Sequence, residues 1–312
     1  MNVKEMNVVA CTVPAEEVAR VKGLGCLRDK TTQDRFNCRV LTRNGKITSA
    51  ESIAIAQAAE RFGSGEVAMT TRQTIEIQGV PYENIDAMRA FLNEHGLDIG
   101  GTGPKVRPVV SCKGTTCVFG LIDTYSLSRK IHDIFYVGYH DVKLPHKFKI
   151  AVGGCPNNCV KPDLNDLGIV GQRVIKRDLS KCRGCKKCQV EAACPIKIAH
   201  VEGGKLVSAG CNNCGRCVGK CPFGVCDTFV DGYKVCIGGR WGKRVAQGQP
   251  LEMVFTSEEE VLKVVEKCIL LYKEQGAAGE RFADTITRLG FENVQAQLLS
   301  DDILARKEEI LK

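Results

Sequence analysis

The sequence predicts an α+β fold of two main parts, with a cysteine-rich domain inserted into the second. Three observations carry this reading. Up to about residue 98, strand and helix patterns alternate in the order β-α-β-α. Two strand-like runs, 167–176 and 233–238, flank a segment of different composition at about 177–228. Eight of the eighteen cysteines fall inside that segment, between Cys182 and Cys221. The 312 residues are enough for two or three domains, each with its own core.

Residues 36–42 (Phe-Asn-Cys-Arg-Val-Leu-Thr) read as a strand, closed by the turn signal Arg43-Asn44-Gly45-Lys46. Ser49 is the expected cap of a helix that runs to Phe62 and stops at Gly63. Val67, Met69, Thr71, Gln73, Ile75 and Ile77 alternate with more polar residues, which predicts one long strand. Ile85, Met88 and Leu92 share a helical face, and Gly96 ends that helix. Residues 99–118 are rich in Gly and Pro. A helix follows around 122–136 and a strand over 147–152. The tail from Ser257 is helical, with Val261, Leu262, Val265, Ile269 and Tyr272 at helical spacing. Gly276 and Gly279 break it before further short helices.

Apolar residues make up 44% and charged residues 26%, which excludes a disordered chain. No apolar run reaches the roughly 18 residues of a membrane span. Met1-Asn2-Val3-Lys4-Glu5 lacks the charged-then-apolar pattern of a signal peptide, so a cytoplasmic protein is expected. Eighteen cysteines in such a chain point to metal or redox chemistry rather than to disulfides. The formal charge is +8 at pH 7. A mildly basic surface accounts for it, and so does an anionic substrate, cofactor or partner.

Inside the insert, Cys182, Cys185 and Cys188 are followed by Cys194-Pro195. Cys211, Cys214 and Cys217 are followed by Cys221-Pro222. The first three positions repeat at an offset of 29 residues, an internal duplication. Three closely spaced thiolates hold three corners of an iron–sulfur cube, and the fourth ligand comes from the other half. One 4Fe–4S cluster is therefore assigned to Cys182, Cys185, Cys188 and Cys221. The other takes Cys211, Cys214, Cys217 and Cys194. The second run matches C-x2-C-x2-C-x3-C-P; the first has five residues before its fourth cysteine, so its loop must bulge. Two zinc ribbons are the competing reading, and they fit poorly, because zinc prefers two separated C-x2-C knuckles.

Two more pairs, Cys112-Lys-Gly-Thr-Thr-Cys117 and Cys155-Pro-Asn-Asn-Cys159, lie in Gly/Pro-containing turns. Four thiolates on two loops can hold one more cube; zinc pairs or free thiols are the alternatives. Leu144-Pro145-His146-Lys147-Phe148-Lys149 leads into the second pair. On a strand, Lys147 and Lys149 point to one face and Phe148 to the other. Two such ammonium groups repel unless an anion lies between them, or unless water solvates both.

With these stretches in view, the chain resembles the sirohaem-dependent sulfite and nitrite reductase family. The resemblance rests on Arg39, on Thr70-Thr71-Arg72-Gln73-Thr74, on Arg107, and on the motifs at 144–149 and 155–159. Asn165-Asp166-Leu167-Gly168 and Gly238-Gly239-Arg240-Trp241-Gly242 fit as well. It covers nearly the whole chain. The embedded two-cluster ferredoxin makes it similar to the compact anaerobic forms, such as the catalytic subunit of anaerobic sulfite reductase. The resemblance implies a ferredoxin-like half-domain over 1–98. It implies a sirohaem and 4Fe–4S domain over 99–176 and 229–312, with a bacterial-type 2[4Fe–4S] ferredoxin domain over 177–228. It further implies that Cys112, Cys117, Cys155 and Cys159 hold a cluster, with Cys159 bridging to the sirohaem iron. Arg39, Arg107, Lys147 and Lys149 would bind the substrate anion, and Arg72 and Gln73 the sirohaem carboxylates. The first pair has four intervening residues where larger members usually have five.

The implied activity is six-electron reduction of sulfite to sulfide in an anaerobic cytoplasm, with one sirohaem and three 4Fe–4S clusters. Nitrite reduction to ammonia is the runner-up, and a non-catalytic electron-transfer subunit the alternative of another class. No nicotinamide or flavin fingerprint is evident, so a ferredoxin or a reductase subunit is expected to donate electrons. The clusters and sirohaem carboxylates are anionic, so the basic balance serves them, and nucleic-acid binding need not be invoked. Larger members hold two copies of the catalytic unit, and this chain holds one. A homodimer, or assembly with a sister subunit, is expected to share active sites. Cys11, Cys26, Cys38, Cys226, Cys236 and Cys268 lack a partner at ligand spacing and read as small buried residues. Trp241 is expected in the core or on the cofactor, and His132, His140 and His146 as solvated or packed.

Overall fold

The computed structural model describes residues 8–312. The Met1–Glu5 stretch behind the leader reading lies outside them. The first unit contains α1 (Ala15–Gly23), β1 (Cys26–Arg28), β2 (Arg35–Val40), α2 (Ser49–Phe62), β3 (Val67–Met69), β4 (Ile75–Pro81) and α3 (Ile85–Glu94). Its sheet is antiparallel, in the order β1-β2-β4-β3. Phe36, Cys38 and Val40 alternate inward from β2 and join Ile75 and Ile77 of β4. Ala54, Ile55, Ala58 and Phe62 of α2 and Ile85, Met88 and Leu92 of α3 close this core. The intervening strand residues, Arg39 and Glu76 among them, face away from it and pair across the strands.

The helix over 49–62 is present, but its cap is Thr48 rather than Ser49. The Thr48 hydroxyl accepts from the Glu51 N–H, and the Glu51 carboxylate accepts from the Thr48 N–H. The long strand expected over 67–77 is instead β3 and β4, joined by a turn. The Gln73 N–H donates to the Thr70 carbonyl (3.0 Å), and Gln73 adopts a φ of +58°. Alternation continued through the turn because Thr71 and Gln73 happened to keep its period. Cys26 and Cys38, expected to be unpaired, face each other across β1 and β2 and are joined as a disulfide. A cross-strand register is invisible to a rule based on ligand spacing.

The second unit is built on a five-stranded sheet. Its strands are β5 (Val110–Ser111), β6 (Ile150–Gly153), β7 (Leu167–Lys176), β10 (Thr228–Ile237) and β11 (Gln249–Phe255), in the order β11-β10-β7-β6-β5. β5–β6 and β6–β7 are parallel; the other pairs are antiparallel. The strand expected over 147–152 begins only at Ile150, although Phe148 makes an isolated bridge to Val106. The strand expected at 233–238 is longer, because it pairs with β7 along its whole length. α4 (Thr124–Ile131) continues as a π-helical turn, His132–Val137. α6 (Glu258–Gln275), α7 (Phe282–Leu289), α8 (Phe291–Leu299), α9 (Asp302–Ala305) and α10 (Lys307–Leu311) follow the sheet. A Ser257–Glu260 capping box starts α6. All these helices share one apolar core with Ile150, Val152, Leu167, Ile169, Val235 and Ile237. Phe148, Tyr272 and Phe282 meet edge-on at its centre, with 5.2 Å between Phe282 and either neighbour.

β7 and β10 form a ten-pair ribbon from Leu167–Ile237 to Lys176–Thr228. The segment between them crowns that ribbon. It holds α5 (Gln189–Ala193) and the hairpin β8 (His200–Glu202)–β9 (Lys205–Val207), and has a small core of Val190, Ala199, Leu206, Val225 and Cys226 resting on Ile175. No described helix is long and apolar enough to cross a membrane.

Gly168 lies where β7 leaves the loop beneath it, and a Cβ there would sit 2.3 Å from the Pro162 carbonyl oxygen. Gly168→Ala is expected to cost more than about 2 kcal/mol in urea unfolding, because backbone cannot yield as a side chain does. Gly23→Ala, with nothing within 4 Å, is the control and should be neutral or stabilising.

Candidate active site and cluster-binding cavities

The parallel pairing of β5 and β6 sends both chains out of the same edge of the sheet, and each then supplies cysteines. Cys112 follows β5 directly, and its N–H donates to the Val152 carbonyl (3.1 Å). Gly154 follows β6, and its N–H donates to Cys112 Sγ (3.1 Å). Gly114 and Gly154 let the two loops touch: a Cβ on either would lie within 2.8 Å of the other's Cα. Cys117 and Cys155 are carried in on these loops, and Cys159 ends the second. Asn158 and Lys161 adopt left-handed φ of +58° and +48° around it. Burial pushes the Cys155 thiol up, and the neighbouring Cys112, Cys159 and Cys117 add to it. The structure thus gathers the four sequence-predicted cysteines. Among the described residues, no three His, Cys, Asp or Glu side chains close on a single ion, as four sulfurs about 2.3 Å from one zinc would.

The opposite ends of the same strands carry the cations. Arg107 precedes β5, while Lys147 and Lys149 precede β6. Lys147 and Lys149 are half-buried on either side of the fully buried Phe148, as the alternation predicted. Arg39 joins them from the first unit, close enough to depress Arg107. Burial, then Arg39, lowers the Arg107 guanidinium to about 10. Burial, then Arg72, Lys147 and Arg281, lowers the Lys149 ammonium to about 8. Burial, then Arg281 and Arg107, lowers Lys147 as well. Such mutual depression marks a basin short of negative charge. Arg107 Nε is buried with no acceptor, which fits an anionic ligand.

Sequence reasoning missed Arg281. It caps α7, nine-tenths buried, and its Nη2 contacts both oxygens of the fully buried Asp166 at 2.9 Å. Its Nε has no partner. Asp166 also accepts from the Lys149 N–H (2.9 Å), so the pair fixes the backbone of the basin. Burial pushes the Asp166 carboxyl up, against the pull of Arg281. The only sequence signal was Asp166 within Asn165-Asp166-Leu167-Gly168.

Arg72 and Gln73 are placed otherwise than expected. Arg72 is half-buried and donates to the Pro108 carbonyl (3.0 and 2.6 Å), the Ile150 carbonyl (3.0 Å) and Asn165 Oδ1 (2.9 Å). Burial lowers it to about 10. Gln73 exchanges two bonds with the Ser111 backbone, 2.7 and 2.9 Å. Both side chains latch the first unit onto β5 and β6, with their polar atoms engaged inside the chain. Trp241 is exposed, not in the core, with Lys161 Nζ 5.8 Å above its ring.

In the insert, two cavities gather the two cysteine sets assigned from spacing. One is lined by Cys182, Cys185, Cys188 and Cys221 with Arg183, Val190, Leu206, Phe223 and Val225. The other is lined by Cys194, Cys211, Cys214 and Cys217 with Arg177, Arg216, Ile196 and Ile198. Each gathers four thiols between mostly apolar side chains with arginine beside them, which suits an anionic iron–sulfur cube. An open cleft of about 1870 Å³ separates the insert from the sheet edge, and Cys214 and Cys155 both line it.

A family model for the nitrite and sulphite reductase 4Fe-4S domain matches residues 102–304, and one for the nitrite/sulfite reductase ferredoxin-like half domain matches residues 28–95. The chain belongs to the nitrite and sulphite reductase family. An uncharacterized protein of Methanocaldococcus jannaschii is 33% identical over 84% of this chain and 90% of its own length. The coenzyme F420-dependent sulfite reductase of that organism is 31% identical over 86% of this chain and 42% of its own length. A subunit of the anaerobic sulfite reductase of Salmonella typhimurium is 31% identical over 46% of this chain and 46% of its own length. This chain therefore spans under half of either named sulfite reductase. A crystal structure of dissimilatory sulfite reductase I superposes with a TM-score of 0.67 at 22% identity, covering 85% of this chain and 69% of that one. The Mycobacterium tuberculosis NirA protein gives 0.65 at 16%, covering 92% and 48%. At these identities the two structures share the fold. The family's half-domain followed by its 4Fe–4S domain is the α+β arrangement expected from sequence.

Lys149 offers a direct check on the basin. In the cofactor-free protein its ammonium is charged below about pH 8 and neutral above. Competitive acetylation followed by mass spectrometry should give it a midpoint near 8, against about 10.4 for an unperturbed lysine. A midpoint above 10 would show that the basin does not depress it.

Proposed function

We propose that this chain reduces sulfite to sulfide at a sirohaem coupled to a 4Fe–4S cluster, and that its active site is completed by a second chain. One observation carries the reading. β5 and β6 carry cysteines at one end and cations at the other, which supports a site for reducing an oxyanion. When bound, sirohaem supplies an iron with an open coordination position, and the coupled cluster supplies electrons. Cys112, Cys117, Cys155 and Cys159 would hold that cluster, and Cys159 would be the thiolate shared with the sirohaem iron. Arg39, Arg107, Lys147 and Lys149 bind the oxyanion, offset its charge and donate protons or hydrogen bonds as its oxygens leave as water.

Lys149 and Cys155 lie beyond opposite ends of β6, four residues that span about 13 Å at about 3.3 Å per residue. Within one chain the basin and the cysteines that would hold the cluster thus lie at opposite ends of β6, which favours a site completed by a second chain. A homodimer, or a sister subunit, would bring one chain's basin to the other's cysteines. The insert cavities would hold two further clusters that relay electrons from a ferredoxin or reductase subunit, in an anaerobic cytoplasm. Nitrite suits the same cations, so substrate choice is a matter for assay. A pure electron carrier has no use for the basin.

Anaerobic turnover with reduced viologen is the test, with sulfide and ammonia quantified at matched sulfite and nitrite. A higher kcat/KM for sulfite supports the proposal, and preference for nitrite replaces the substrate while leaving the site. Lys147→Ala and Lys149→Ala should each lose about 100-fold or more in kcat while keeping the sirohaem spectrum. Loss of bound sirohaem would make them cofactor ligands instead.

Co-expressed Lys147→Ala and Cys159→Ser chains should regain part of the activity that each lacks alone. Purified mixed dimers that stay inactive would place each site within one chain.

A further inference from the structure

We infer that Arg177 makes the two insert sites unequal, holding a cluster at Cys194, Cys211, Cys214 and Cys217 at a higher reduction potential than one at Cys182, Cys185, Cys188 and Cys221. The inference rests on the proposed two-cluster reading of the insert and adds an order to it.

Arg177 stands where β7 passes into the insert. Its Nη2 donates to Cys211 Sγ at 3.2 Å, and its charge reaches Cys217 as well. Its Nε is buried with no acceptor. Among the described residues no carboxylate pairs with it, and the adjacent Asp178 is engaged by Ser180 and Lys181. The guanidinium is thus an uncompensated, half-buried cation against the sulfurs.

The internal duplication supplies the control. Arg177 precedes Cys182 by five residues, and Leu206 precedes Cys211 by five. The fourth cysteine crosses between halves, and so do these side chains: Arg177 lines the Cys211 cavity and Leu206 lines the Cys182 cavity. Ile196 and Phe223 are matched in the same way, two residues past Cys194 and Cys221, as are Ile198 and Val225 at four. Those pairs exchange apolar for apolar. Arg177 and Leu206 exchange a cation for an apolar side chain. Arg183 lines the Cys182 cavity, but it is exposed, as are Lys186 and Lys187, so water and salt screen all three, whereas Arg177 is half-buried and donates to a sulfur. Lys205 Nζ donates there to the Leu179 and Cys182 carbonyls and to no sulfur.

Reduction adds one negative charge to a cluster, and a nearby half-buried cation and N–H donor favour the reduced form. One electron then passes from the Cys182 site to the Cys211 site with no bond made or broken and no proton moved. It comes to rest at the site whose Cys214 shares a cleft with Cys155. Arg177 is a positioning residue for charge, remote from the substrate.

The test is a potentiometric titration of the whole protein followed by EPR, with iron counted and the two couples assigned through Cys185→Ser. Arg177→Leu, which puts leucine at both matched positions, should lower one couple by at least tenfold in its reduction equilibrium, about 59 mV for one electron. The other couple should stay in place, and Arg177→Lys should keep most of the difference. Both couples unmoved in Arg177→Leu at wild-type iron content would overturn the inference. Iron lost from Arg177→Leu alone passes the test to Arg177→Gln, which keeps a donor but no charge and should show the same fall. Iron lost from the Lys and Gln variants alike would overturn it, making Arg177 an assembly residue. Wild-type protein with no iron in the insert would overturn the two-cluster reading itself.

Discussion

β5 and β6 pair in parallel, so their two N-terminal ends meet at one edge of the sheet and their two C-terminal ends at the other. That one pairing decides where the chemistry lies. It unites Arg107 with Lys147 and Lys149, and Cys112 with Cys155. It also keeps the cations of this chain apart from its thiols by the length of a strand. Gly114 and Gly154 then let the two cysteine loops touch. An antiparallel pairing would have mixed the two sets and left neither complete.

The edge is held by buried polar groups rather than by apolar contact alone. Arg72 and Gln73 reach from the turn between β3 and β4 to the backbone of β5 and β6. Arg281 reaches from the start of α7 to Asp166, and Asp166 to the Lys149 backbone. Breaking a buried ion pair by removing one partner typically costs about 3–5 kcal/mol, since the other charge is left without compensation. The units are therefore locked at the point where position matters for the basin. The same lock concentrates positive charge, and the depressed Lys147, Lys149 and Arg107 show how far that charge exceeds what the chain supplies in return.

The insert follows a different logic. Its duplication builds two near-equivalent, mostly apolar cups, each completed by a cysteine from the other half. Equivalence is broken by the ribbon that carries it, because β7 delivers Arg177 to one cup and the hairpin strand β9 delivers Leu206 to the other. Arg173 of the same strand pins the loop of the second cup, its N–H donating to the Asn213 carbonyl at 2.7 Å. The ribbon is thus both the tether of the insert and the source of its asymmetry.

Local pattern was enough for what depends on local spacing. The cysteine repeat sorted eight thiols into two sets without coordinates, since ligand spacing within a loop is a property of the chain. The helices over 49–62 and from Ser257, and the alternation about Phe148, were legible because amphipathic period and capping are short-range. What failed needed partners distant in sequence. The break between β3 and β4 depends on a left-handed residue at Gln73, the Cys26–Cys38 pair on strand register, and Arg281 on a carboxylate 115 residues away. Tertiary structure alone decided that Arg72 and Gln73 are latches and that Arg177 differs from its twin. It also decided that cations and thiols occupy opposite ends of one strand, because only packing brings together atoms that the sequence keeps apart.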